Sequence, residues 1–367
     1  GDEIYLAGVG GMTELNGRNY ILANVSTNTY SLKDLFGNNI NSTNYTTYTS
    51  GGSTDEIYEI ATPYASADVF NLRFAQSADV MYFAHPSYAI RTLSRTNHNA
   101  WTFATPAINE NSTPVITTAD NYPSVVTFFE QRLVFAATNN NPQTIWFSKN
   151  ADYLNFHTGT SADDALIYTI ASNQVNNIRY LSATRVLTIG TSGGEYVLTT
   201  TNNGPITPTT TQIRKYSNYG SANIEPVQVA DVTLFLQRGN RKIREFKYIG
   251  EVDTAGYQAP DITVLAEHIT KGGVEGFAYQ QEPENIVWCV RSDGTLLGLT
   301  YRREESVVAW HKHVIGGAFD GGQAVVESIT TLPTDSGEDE LYMIVKRTID
   351  GQTMRYVEVM KNFDFGS

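Results

Sequence analysis

Four short stretches carry residue types that could do chemistry. His311-Lys312-His313 sets two imidazoles two residues apart, so on a strand both point to one face, a spacing that can begin a metal site. No third ligand is apparent, and the pair reads as a blade-edge surface pair. Asp163 and Asp164, near His157, offer neighbouring carboxylates as a hydrolase would. Acid–base work needs two groups on opposite sides of a substrate, so "TSADD" reads as a solvated turn leading into a strand at 166–170. "SDGT" at 292–295 faintly matches the aspartate box of sialidase propellers, but it occurs once and lacks the Gly-x-Thr-Trp ending. The one basic cluster is "RGNRKIREFK", with Arg238, Arg241, Lys242, Arg244 and Lys247. Its functional reading is a subunit interface facing acidic loops such as "DSGEDE" at 335–340, or a phosphate contact. Its plain reading is a hairpin with a charged, solvated face.

Other chemistries find no support. The single cysteine, Cys289, lies in an apolar run, reads as a small core residue and excludes an internal disulfide. No Walker loop, dinucleotide fingerprint, HExxH or nucleophile elbow is present. The expectation is therefore no enzyme, no catalytic residues, no cofactor and no metal. Sequons begin at Asn24, Asn41, Asn44 and Asn111, and a sequon alone establishes no glycosylation. The 25 basic and 38 acidic residues leave a net charge of −13, which argues against gripping a nucleic-acid backbone. No segment is long and apolar enough to cross a bilayer, and no signal peptide opens the chain. It starts on "GDEIYLAG" without Met, and is read as a piece of a longer or processed polypeptide.

The elements that position these residues repeat. Six strong strands occur: "VMYFA" from Val80, "LVFAA" from Leu133, "VLTIG" from Val186, "VTLFL" from Val232, "IVWCV" from Ile286 and "LYMIV" from Leu341. They are separated by 53, 53, 46, 54 and 55 residues. Each follows an apolar strand, at 72–75, 125–129, 178–181, 227–229, 276–279 and 328–332, and precedes a hairpin turn and a third strand. The third strands are expected at 90–94, 144–147, 195–199, 242–248, 296–301 and 354–360. A fourth is expected at 100–103, 154–156, 211–215 and 308–311. Short helices are expected only at 31–36 and 261–269. A four-stranded unit of ~40–50 residues, apolar on both faces, must stack on its neighbours, which is the logic of propeller blades. Two β-sandwiches are the competing arrangement. The expected fold is all-β: a six-bladed β-propeller over 55–363, preceded by a small β-barrel over 1–54, with 364–367 starting a further region.

Residues 1–54, with "GDEIYLAGVGGMTELNGRNY" and "YTSGG" at 48–52, resemble the first catalytic-cysteine half-domain of ubiquitin-activating enzymes. This copy has no cysteine, so no thioester chemistry carries over. The remainder resembles the nozzle, or tubular tail protein B, family of short-tailed bacteriophages and prophages. The words that carry this are "YEIATPYASADVFNLRFAQSADVMYFAHPSY" (58–88), "FFEQRLVFAATNNNPQTIWFSK" (128–149), "GTSADDALIYTIAS" (159–172), "YGSANIEPVQVADVTLFLQRGNRKIREF" (219–246) and the long run at 265–313. The resemblance implies a structural virion protein, made in the bacterial cytoplasm. Its subunits self-associate into a ring, a hexamer, beneath the portal and adaptor. Genomic DNA then passes without tight binding, and an acidic lumen would repel it. The alternative is a receptor- or glycan-binding propeller module using loop aromatics such as Trp101, Tyr122 and Tyr153.

Overall fold

The computed structural model describes residues 1–111, 113–172, 174–201, 204–250 and 256–361. Nearly all regular structure is antiparallel strand; the described helices are single 3-10 turns at Thr13–Leu15 and Val69–Asn71. Neither expected helix forms. Ser31–Lys33 is an edge strand paired with residues 21–23, and 261–269 is a run of turns. The 364–367 stretch lies outside the described residues.

The chain divides into two compact units, one of 1–63 with 95–103, the other of 64–94 with 104–367. The first contains a four-stranded sheet in the order Ser31–Lys33, Arg18–Ala23, Glu3–Gly10, Ser50–Glu56. Alternation along its central strand buries Ile4 and Leu6, which with Tyr20 form a small core capped by Leu15, Leu22, Leu32 and Ile40. Around the 95–103 hairpin, the Arg95 guanidinium lies 5.8 Å from the Trp101 ring, whose Nε1 donates to His98 O at 2.8 Å.

Six sheets follow the repeat. The first is Arg73–Ser77, Val80–His85, Tyr88–Asn97 and Ala100–Ala104; the second is Pro123–Phe129, Arg132–Thr138, Thr144–Phe147 and Leu166–Thr169. The third is Ile178–Ala183, Leu187–Thr191, Gly194–Thr200 and Thr211–Ser217; the fourth is Val227–Val229, Val232–Leu236, Ile243–Ile249 and Gly256–Gln258. The fifth is Val274–Gln280, Ile286–Arg291, Leu296–Arg302 and Val307–His313, and the sixth has three strands, Val325–Pro333, Asp339–Ile349 and Gln352–Met360. Each strong strand of the sequence is the second of its sheet, flanked on both sides, which is why it is apolar on both faces. One fourth strand is corrected. Asn155–Phe156 pairs in parallel with Asn109–Glu110, and Leu166–Thr169 completes the second sheet instead. Phe156 is drawn into the core between the first and second sheets, so it is not free to edge the second.

Successive sheets share apolar layers. Tyr82 and Ile90 of the first meet Leu133, Phe135 and Trp146 of the second. Val134 and Ile145 of the second meet Leu187 and Ile189 of the third. Tyr180 and Val197 of the third meet Phe235 and Phe246 of the fourth. Leu234 of the fourth meets Cys289 and Leu299 of the fifth, and Trp288 of the fifth meets Met343 and Val345 of the sixth. Two contacts bring the first sheet back to later ones. The Arg73 guanidinium donates to Asn223 O at 2.9 Å, just ahead of the fourth sheet. Phe70 lines a cavity with Val325, Val326 and Ile329 of the sixth.

Candidate functional site

The groups singled out by sequence are mostly consumed by structural contacts. His311 Nδ1 and His313 Nε2 lie 2.7 Å apart, sharing one hydrogen bond, with both rings edge-on to Trp288. Burial lowers both pKa values, and for His311 its partner's charge lowers it further, so the neutral pair is favoured. Among the described residues no group of three or more His, Cys, Asp or Glu side chains could hold a metal.

Asp163 and Asp164 sit in a turn and flank Lys149 Nζ at 3.0 and 3.7 Å. His157 is exposed on the surface. What fixes this turn is Arg132, a residue that sequence reasoning missed. It is 1% exposed, and donates to Ser148 O (2.7 Å), Asp164 O (2.7 Å), Asp163 O (3.3 Å), Ala162 O (2.9 Å) and Ile206 O (3.4 Å). A guanidinium fork is the side chain that can satisfy so many carbonyls at once. "SDGT" is a hairpin turn. Asp293 accepts from Arg291 at 2.9 and 2.6 Å and from Thr295 N at 3.1 Å, and these bonds hold its carboxyl well below the usual range. Gly294 has φ +78°, and a Cβ there would stand 2.4 Å from a Val325 methyl, so the turn both reverses the chain and admits the sixth sheet. Cys289 is fully buried, and burial drives its thiol pKa far up.

The basic cluster splits by position. Arg244 is buried, stacked 3.4 Å over the Tyr219 ring and donating to Gln237 Oε1 and Ala259 O at 2.8 and 2.6 Å. Lys242 pairs with Asp261 and Glu267 at 3.1 and 3.2 Å, and Lys247 pairs with Glu245 at 3.0 Å. Arg238 and Arg241 stand exposed. Arg244 lies in the strand Ile243–Ile249, whose first four residues are all buried, a consequence invisible to a simple charge count. Of the loop aromatics, Tyr153 packs edge-on against Phe128 (4.9 Å) and Tyr82 (6.4 Å) as part of the core.

Sequence reasoning also missed a buried acid. Glu195 is fully buried between the third and fourth sheets, accepting from Ser221 Oγ at 2.9 Å and from the Ser217 hydroxyl. Burial raises its pKa, against the pull of those hydroxyls and of Arg244. Tyr180 lies beside it, its phenol also raised by burial.

A polar recess of about 330 Å³ is a further feature to which several sheets contribute side chains. Its walls come from Asp68 and His85 of the first repeat, Asn139 of the second, Asn177 and Arg179 leading into the third, and Asn223 leading into the fourth. These residues come from separate repeats and are not neighbours in sequence, so no single motif signals the recess.

No family model matches the chain, and no curated protein sequence matches it. Its fold is similar to that of a candidate 6-phosphogluconolactonase from Bacteroides uniformis, a β-propeller protein, with TM-score 0.50 and 10% identity over 98% of this chain and 96% of that one. Two Hsv2 structures also align. That of Kluyveromyces marxianus does so with TM-score 0.41 and 9% identity over 75% of this chain and 72% of its own. That of Kluyveromyces lactis has TM-score 0.44 and 7% identity over 75% and 69%. The chain is an all-β protein of the β-propeller kind.

Proposed function

We propose that this chain is a non-enzymatic, six-bladed propeller module with a small β-barrel ahead of it, working as a structural subunit of the tail nozzle of a short-tailed phage or prophage. One observation carries the non-enzymatic part. Asp163, Asp164 and Asp293 are engaged by Lys149 or Arg291 and His311 and His313 by one another, His157 stands exposed, and large apolar side chains face solvent. Leu265 is 93% exposed and Val357 74% exposed. The tail setting rests on the long sequence words quoted above, and the acidity fits a conduit that must not hold DNA. In this setting Arg238 and Arg241, the exposed members of the basic hairpin, meet acidic loops of a neighbouring subunit.

A second reading, a receptor- or glycan-binding propeller module of a phage or bacterial surface protein, is favoured by the likeness to solved propellers, which speaks for such a module without drawing on a tail. Electron microscopy of the full-length protein, alone and mixed with its adaptor ring, separates them. The nozzle reading expects rings seated on the adaptor. Monomers that ignore the adaptor and bind a glycan array would replace it with the second reading.

A further inference from the structure

The six sheets carry equivalent positions near the start of their first strands. Arg73 pairs with Ala84, and Ser124 falls opposite Ala137, each facing the fifth residue of the strong strand. Arg179 falls between the pairs Ile178–Thr191 and Tyr180–Gly190, Glu275 between Val274–Arg291 and Gly276–Val290, and Glu327 between Val326–Val345 and Ser328–Ile344. Glu225 lies two residues ahead of the Val227–Leu234 pair. In the third, fifth and sixth sheets the residue is therefore the extra member of a β-bulge, a device that re-aims a side chain out of the ladder.

Most of the charged members have partners. Arg73 donates to Asn223 O and feels the charge of Glu225; desolvation lowers the pKa of the first and raises that of the second. Glu327 holds Lys346 at 2.9 Å and Arg355 at 2.7 Å. Glu275 is exposed. Arg179 differs: it is half-buried in the wall of the recess, and its guanidinium has no hydrogen bond or ion pair among the described residues.

His85 supplies a second unsatisfied donor in the same wall. It is 4% exposed, and its Nδ1 accepts from Ser87 N at 3.1 Å, which leaves the ring proton on Nε2. That Nε2 is buried without a partner. Burial lowers the pKa of His85, so the ring stays a neutral donor, with the Asp68 charge opposing that shift. Asp68 itself is taken up by the Tyr88 hydroxyl at 2.7 Å. The unpaired Arg179 guanidinium suits the recess to an acceptor-rich, negatively charged guest, while the His85 N–H lies sealed within the wall and the Asp68 carboxylate beside it accepts from the Tyr88 hydroxyl.

We infer that the recess lined by His85, Asn139, Asn177, Arg179 and Asn223 is a binding site for the oxyanion group, carboxylate or phosphate, of a small ligand. Arg179 presents its fork to the oxygens, while the charge of Arg73 is balanced by Glu225. Nothing in this depends on the tail assignment.

The test is calorimetric titration of the full chain with inorganic phosphate in one arm and malonate in the other, on the native protein, Arg179→Gln and Arg238→Gln. Circular dichroism melts confirm that each variant is folded. Saturable binding in either arm, weakened at least tenfold by Arg179→Gln and unchanged by Arg238→Gln, supports the site, and the arm that saturates identifies the oxyanion. No saturation in either arm by tens of millimolar overturns it. So does binding that survives Arg179→Gln, or that is lost equally in Arg238→Gln.

Discussion

Arg132 and Arg179 make an instructive pair. Arg132 is buried and Arg179 half-buried, and Arg132 spends its donors on five backbone carbonyls while Arg179 has no hydrogen bond or ion pair among the described residues. The first ties together the turn at 161–164 and the segment at 206 that would otherwise carry buried, unpaired carbonyls. The second sits on a bulge that lifts it out of its ladder toward an open recess. A buried cation with every donor satisfied is part of the architecture. One left unsatisfied marks a place where something else is meant to bind.

The largest effect expected from breaking this contrast is at Arg132. Arg132→Met should destabilise the protein by about 3–5 kcal/mol, because it strands five buried or half-buried carbonyls at once. Urea unfolding measures it, and Arg132→Lys should recover little, since one ammonium cannot span the same acceptors. A loss below about 1 kcal/mol would mean that the clamp is not structural.

Next comes Glu195, the buried acid of the polar seam between the third and fourth sheets. Its folded pKa is raised, so folding favours the protonated form. Stability from this group is complete below the unfolded carboxyl value and erodes as pH rises from there through the raised value. Glu195→Gln should flatten that slope, read from denaturation midpoints across the acid-to-neutral range. Asp293 offers the opposite sign. Its depressed pKa gives stability that is present above the unfolded value and lost as pH falls toward the folded one, and Asp293→Asn should remove that acid-side loss. Identical pH profiles for variant and native protein would contradict either assignment.

The smallest effect belongs to Arg179. Arg179→Gln should change stability by no more than about 0.5 kcal/mol, because no contact is broken. A large loss would turn Arg179 into a second Arg132 and erase the comparison.

What the sequence made legible follows from the same physics. The six strong strands were readable because both their faces are buried, leaving continuous apolar runs such as "IVWCV" and "VTLFL". Their hairpin partners followed from Gly, Asn and Asp turns. The outer strand of the second sheet was misplaced because Phe156 and Leu166 are equally apolar, and only the packing of Phe156 against the first sheet decides between them. The functional residues were hidden for another reason. Arg132, Arg179, Glu195 and His85 are single polar residues in strands, and their meaning depends on which sheet faces which. The basic hairpin was visible as a cluster of five charges, yet Arg244 falls in the buried start of the strand Ile243–Ile249 while Arg238 and Arg241 lie in the exposed turn before it. Arg73, Arg179 and Glu225 each precede their strong strand by seven residues, but Ser124, Glu275 and Glu327 precede theirs by nine, eleven and fourteen, so only the strand register brings the series into line.

An experimental density map of this chain, at a resolution that traces strands, tests the account most directly. It should show six sheets radiating from one axis, with Arg73 and Glu225 facing each other across it and Arg179 turned into the recess. Two separate stacked-sheet lobes, with Arg73 far from the fourth sheet, would contradict it.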